Sequence, residues 1–260
     1  MPAACDVEPS ATWAVLVHGR GASREEGLRA VPVLRRLGIA SLVIGYRNDV
    51  DALRSPSGRY HLGASEWRDV EAAVLHAVRC GAERIVLVGW SMGGAITLQL
   101  LDRSWLADRV VCAVLDAPVI SWRDVLDHHA RVNRLPRAVG RLAQGLLDHG
   151  HGRRLAALEM PLGLDSMDWV TRAGDLRTLL LVLHSDDDDF VPSGPSRALA
   201  ERRPELVTFA PSRGARHTKE WNVDPTGWET TVETYLRRWV PTASAPSGSV
   251  ADGRPPESSV

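Results

Sequence analysis

The sequence predicts an α/β fold: a mostly parallel sheet of about six strands covered by helices on both faces, with a small helical cap inserted before the fifth strand. Three observations carry this. Short runs, apolar at every position and rich in β-branched residues, alternate with amphipathic stretches of helical spacing, which is the pattern of strands buried on both faces. One long stretch, from about Val119 to Gly174, interrupts the alternation and holds no strand-like run. The length of 260 residues, with 44% hydrophobic and 24% charged residues, suits one large globular domain.

The elements follow in order. Trp13 to Val17 is the first strand run, ending at His18-Gly19. Glu25 to Leu37 has helical spacing, and Gly38 is a natural stop. Ala40 to Ile44 is the second run. Ser65 to Arg79 reads as a helix with Ser65 as its N-cap. Arg84 to Val88 is the third run, followed by a helix from Met92 to Asp102. Val110 to Leu115 is the fourth run, Leu179 to Leu183 the fifth, and Leu206 to Phe209 a shorter sixth. Thr226 to Trp239 closes the pattern as a helix. In the interrupting stretch, Trp122, Val125 and Leu126, then Leu142, Leu146 and Leu147, recur at helical spacing.

The chain therefore divides into a polar lead (1–11), a first core part (12–118), a helical cap (119–174), a second core part (175–240) and a tail (241–260). The tail is rich in Pro, Ser and Gly and poor in large apolar residues, so it is expected to be disordered.

Net charge is -1, which gives no electrostatic case for nucleic acid or an anionic membrane. The three cysteines, Cys5, Cys80 and Cys112, are widely spaced, which argues against a disulfide framework or a zinc site. The start carries no signal-like segment, and no apolar run approaches the roughly 20 residues of a membrane helix. A cytoplasmic protein with no cofactor and no metal is expected.

In open parallel sheets the ligand sits at the carboxyl ends of the strands, and the chemically capable residues lie there. Gly89-Trp90-Ser91-Met92-Gly93 is a G-x-S-x-G turn between a strand and a helix, the context of a nucleophile elbow. Small residues are needed on either side of a strained serine, and the glycines supply them. His18-Gly19-Arg20-Gly21 after the first strand is a glycine-rich loop of the kind that supplies a second oxyanion donor. The two donors are assigned to the backbone N–H groups of Met92 and Arg20. His18 reads as a structural hydrogen-bonding residue. A run of four aspartates, Asp186 to Asp189, follows the fifth strand and contains the expected acid, with Asp186, Asp188 and Asp189 as alternatives. His217, in the small-residue loop Gly214-Ala215-Arg216-His217-Thr218, is placed as the base. His128-His129 and His149-x-His151 lack the matching ligands of a metal site.

The order serine, acid, histidine is that of α/β-hydrolases. Over roughly residues 12–240 the chain resembles that superfamily, close to its bacterial esterase-like and peptidase-like members. The segments Leu16 to Gly21, Gly89 to Gly94 and His217 to Asn222 are similar to those of actinobacterial hydrolases. His184, Val191 and Pro192 match the family pattern H-G-x-x-D-x-x-V-P, with Ser185 in place of the glycine, and this alignment implies Asp188 as the acid. The resemblance implies a covalent acyl-enzyme formed at Ser91 by a Ser91-His217-Asp188 triad, acting on a small acyl substrate, with an ester as the leading class. A peptidase or thioesterase uses the same triad, and a non-catalytic receptor of the same fold is the contrasting reading. Trp90, Trp122 and Trp169 are candidates for lining the acyl pocket. Relatives usually carry an antiparallel strand pair before the strand ending in His-Gly, whereas here only residues 1–11 precede it. The sheet is thus expected to be trimmed to about six strands, or to lack an N-terminal part, and its uncovered edge invites pairing into an oligomer.

Overall fold

The computed structural model describes residues 10–148 and 158–240. Six strands form one sheet: β1 (Thr12–Val17), β2 (Ala40–Ile44), β3 (Arg84–Trp90), β4 (Val110–Asp116), β5 (Leu179–Ser185) and β6 (Val207–Ser212). Their order is β2-β1-β3-β4-β5-β6, and every adjacent pair is parallel. The order reverses direction at β1 and β3, so the carboxyl ends of these strands open a crevice at the switch point.

Side chains alternate across this sheet, and the two faces gather separate cores. Trp13, Val15, Val17, Ile85 and Leu87 point to one face. There they meet α2 (Trp67–Arg79) and α3 (Met92–Arg103) through Val70, Val74, Ile96 and Leu98. Ala14, Leu16, Val86, Val88 and Trp90 point to the other face. They pack on α1 (Val31–Arg36) and on the C-terminal helix, through Val33, Leu34, Trp228, Val232 and Leu236. Both faces being covered explains why the strand runs are apolar at every position.

Helical boundaries depart from the sequence-based reading for local reasons. The stretch expected as one helix from Glu25 to Leu37 is a 3-10 segment (Arg24–Ala30) followed by α1, with Pro32 in the first turn of α1. Proline lacks an N–H and is accommodated only in a first turn, so the register restarts there. Ser65 is not a cap: α2 starts at Trp67 after Glu66. Instead the fully buried Glu66 carboxylate accepts N–H groups of His61, Gly63 and Ser65 and fixes the preceding turn.

Between β4 and β5 stand α4 (Trp122–Val132), α5 (Arg137–Asp148) and short 3-10 turns, with no strand among the described residues. Ser121 caps α4 by accepting from Asp124 N–H. The next helix, α6 (Gly194–Arg202), was not read from the sequence, because Gly194-Pro195 resembles a loop; Pro195 sits in its first turn. Two helices follow β6: α7 (Glu220–Val223) and α8 (Pro225–Trp239), the latter capped by Asp224. The polar lead up to residue 9, and the tail from 241 that is expected to be disordered, lie outside the described residues. Cys80 is disulfide-bonded, against the expectation of no bridge, and Cys112 is a buried free thiol. No helix among the described residues is long and apolar enough to cross a membrane.

Candidate active site

The turn after β3 is the most constrained point of the backbone. Ser91 has φ 52° and ψ -116°, a left-handed conformation that side chains rarely adopt. Its N–H continues the sheet ladder to Asp116 O at 3.0 Å, and its carbonyl accepts from Val119 N–H at 3.1 Å. The flanking glycines are there for want of space. A Cβ at 93 would lie 2.0 Å from Val17 O, one at 89 would lie 2.7 Å from Gly93 O, and one at 94 would lie 2.6 Å from Pro118 Cβ. With these side chains absent, the serine is presented at the start of α3.

Two other loops converge on it. His217, in the loop after β6, makes a 2.8 Å contact through Nε2 with Ser91 Oγ and a 2.7 Å contact through Nδ1 with Asp188 Oδ2. The Asp188 side chain is fully buried. Its other oxygen, Oδ1, accepts from the backbone N–H groups of Phe190 and Val191 at 2.8 and 2.9 Å. His184 Nε2 lies 3.3 Å from Oδ2. Burial alone would raise the Asp188 carboxyl, but hydrogen bonds from His184 and His217 outweigh it and hold it well below the usual carboxylate range.

The neighbouring aspartates are spoken for elsewhere. Asp186 pairs with Ser193 and Arg197, Asp187 accepts from Gly214 N–H, and Asp189 pairs with Arg216. Of the four, Asp188 alone contacts the His217 imidazole among the described residues, while the His217 backbone lies against Asp189.

The loop after β1 closes the fourth side. His18 is buried, stacked on Tyr46 at 4.4 Å, and bound through Nε2 to Asp49 at 2.9 Å. It supports the loop and makes no contact with Ser91. Gly19 N–H is taken by Glu26 Oε2 at 2.8 Å, and Arg29 reaches from the same 3-10 segment to Thr218 O at 2.9 Å. The backbone N–H groups of Arg20 and Met92 donate to no acceptor among the described residues.

Above the site, the ring of His129 on α4 meets Phe190 at 4.4 Å, and Phe190 meets His217 at 5.3 Å. The cap helix therefore touches the site through one exposed aromatic that the sequence reading passed over. Its position beside the acidic run was the available signal. A cleft of about 530 Å³ is lined by Arg20, Arg59 and Tyr60 together with Leu62, Leu147, Leu158 and Leu162.

The three tryptophans are all buried in the cores. Trp90 belongs to the face packed on α1 and α8, away from the cap. Trp122 donates to Leu62 O at 2.8 Å, and Trp169 lies under Arg172. Among the described residues, no group of His, Cys, Asp and Glu is arranged to hold a metal.

The profile of the alpha/beta hydrolase family matches residues 14–241. No curated protein matches the chain. Among solved structures, an esterase from Pyrococcus furiosus superposes with a TM-score of 0.65 at 18% identity, over 89% of this chain and 85% of that one. An esterase from Thermogutta terrifontis gives 0.61 at 20% identity, over 87% and 90%. A bromoperoxidase from Bacillus anthracis gives 0.61 at 17%, over 87% and 92%.

Proposed function

From the premise that this chain belongs to the alpha/beta hydrolase family, we propose that it hydrolyses carboxylic esters through a Ser91-His217-Asp188 triad and a covalent acyl-enzyme. The observation that carries this is the unbroken line of two short contacts, 2.8 and 2.7 Å, from the strained serine through one imidazole to a buried carboxylate. Such a line lets the imidazole take a proton at one nitrogen while the carboxylate stabilises the positive charge at the other.

In the reaction, His217 Nε2 removes the Ser91 hydroxyl proton as Oγ attacks the ester carbonyl carbon. The oxygen that becomes negative is met by the N–H groups of Arg20 and Met92, preorganised at the first turn of α3 and in the glycine loop. Collapse of the tetrahedral species breaks the bond to the alcohol, which leaves with the proton from His217. Water then repeats the sequence on the acyl-enzyme, and Ser91 is restored. Asp188, held ionised by its donors, keeps Nδ1–H pointed inward throughout.

The leucine-lined cleft beside Arg20, one of the two assigned oxyanion donors, is the site this reading gives to the acyl group. The esterases among the structural neighbours point the same way. Hydrolysis of a p-nitrophenyl ester series, from acetate to palmitate, tests the proposal. Wild type is expected to turn over at least part of the series, with Ser91→Ala reduced by about 10⁴-fold or more. Equal turnover by both proteins would refute it. Turnover of amide or thioester analogues in place of esters would reassign the bond while keeping the triad.

A further inference from the structure

Behind the triad, two acidic side chains are shut inside the protein. Asp116 ends β4 and is 0% exposed; Glu220 opens α7, in the segment that follows His217, and is 5% exposed. Each carboxyl has one oxygen satisfied by a donor. Trp228 Nε1 donates to Asp116 Oδ2 at 2.7 Å, and Ser185 N–H donates to Glu220 Oε1 at 3.0 Å. The other two oxygens, Asp116 Oδ1 and Glu220 Oε2, receive no donor from any described group. The two carboxyls lie close enough for each to act on the other's charge.

Ionised carboxylates only accept hydrogen bonds, so two of them cannot bond to each other. Left both charged at these buried positions, they would repel and leave two acceptors with no protein donor among the described residues. The charged groups facing them do not relieve this. Arg29 is the nearby cation, and its guanidinium is committed to Glu26 and Thr218 O. Asp188 adds a third negative charge.

We propose that Asp116 and Glu220 share one proton, and that the resulting hydrogen bond is a positioning clamp for the triad. The placement gives the clamp its reach. Asp116 also accepts the N–H of Ser91 through its own carbonyl, at 3.0 Å. Glu220 holds Ser185, the last residue of the strand that leads to Asp188, and lies three residues beyond His217. One proton thus ties the serine turn, the acid strand and the histidine loop together. The inference rests on the triad reading, since it assigns the clamp to those residues.

Burial pushes the Asp116 carboxyl well above its usual range, and the charge of Glu220 adds to this; burial raises Glu220 as well. A raised acid keeps its contribution below the ordinary carboxylate value and loses it as pH rises through the raised value. The clamp therefore opens on the alkaline side.

The test combines infrared spectroscopy with a pH profile. At neutral pH the wild type should show a carbonyl band of a buried protonated carboxyl, lost in Asp116→Asn and in Glu220→Gln. Absence of that band from wild type would overturn the proposal, with no variant needed. An asparagine at 116 can accept from Trp228 and donate to Glu220 at every pH. Asp116→Asn should therefore recover most of the activity lost in Asp116→Ala, a loss of about tenfold to a hundredfold for a misplaced triad. It should also carry the alkaline fall of kcat/KM to higher pH. An unchanged alkaline fall would overturn the clamp, because a purely structural role moves stability and not the profile. Failure of the triad reading is distinguishable: Ser91→Ala would then keep its activity while the infrared band still reported on the pair.

Discussion

Asp188 illustrates how much a single side chain is decided by its donors. Four aspartates stand in a row, and three of them are exposed and paired with Ser193, Gly214 and Arg216. Asp188 receives two backbone N–H groups and two imidazoles, which is what keeps a buried carboxyl ionised. Asp188→Asn is expected to lower kcat by about 10⁴-fold, because the amide no longer holds the right tautomer of His217. Asp186→Asn should stay within about threefold of wild type, since removing an exposed pair is worth little. A steady-state comparison of the two variants checks this, and the reverse ranking would move the acid to Asp186. The lowered pKa also has a sign. Its stabilisation is present above the ordinary value of 3.8 and is lost as pH falls through the depressed value. The stability gap between wild type and Asp188→Asn, read by denaturant melts, should therefore narrow as pH falls below 3.8.

Elements set how much of this was legible in advance. The G-x-S-x-G turn and the order of serine, acid and histidine are legible in the sequence, so Ser91 and His217 could be named as candidates without coordinates. The direction of Trp90 could also have been found and was not. It sits in β3 in the phase of Val86 and Val88, opposite to Leu87, so it faces α1 and α8 although it is next to Ser91 in sequence. The Asp116–Glu220 contact was out of reach, because only the packing of α7 and α8 against β4 brings those residues together. The helix-turn boundaries at Pro32 and Gly194 depend on where prolines fall, which the periodicity alone blurs.

The same scale gives a test of the glycines. Gly93→Ala should cost more than about 3 kcal/mol, because its Cβ meets backbone oxygens at 2.0 and 2.7 Å. Gly140→Ala, whose Cβ meets only Ala130 Cβ at 3.6 Å within α5, should gain about 0.5–1 kcal/mol from reduced chain entropy. Urea denaturation of both proteins checks the pair. A Gly93→Ala protein as stable as wild type would show that the turn is less tightly packed than described.

At the scale of the whole molecule, the sheet is the frame and its strand ends are the workplace. The strands β1, β3, β4 and β5 are bonded on both sides, whereas β2 and β6 each pair on one side only among the described residues. Native-state hydrogen exchange should therefore be slowest in β3 and β4 and faster in β2 and β6. Uniform protection across the six strands would point to edges covered by something else, such as a second copy. Because three loops from separate strands must meet within hydrogen-bond reach, the site reports on the integrity of the whole sheet.

The most direct test of the central claim is covalent. Intact-mass spectrometry after exposure to a fluorophosphonate should show a single adduct on wild type, mapped by peptide analysis to Ser91, and none on folded Ser91→Ala. Labelling at another residue, or an unlabelled wild type that is folded, would contradict the assignment of Ser91 as an activated nucleophile.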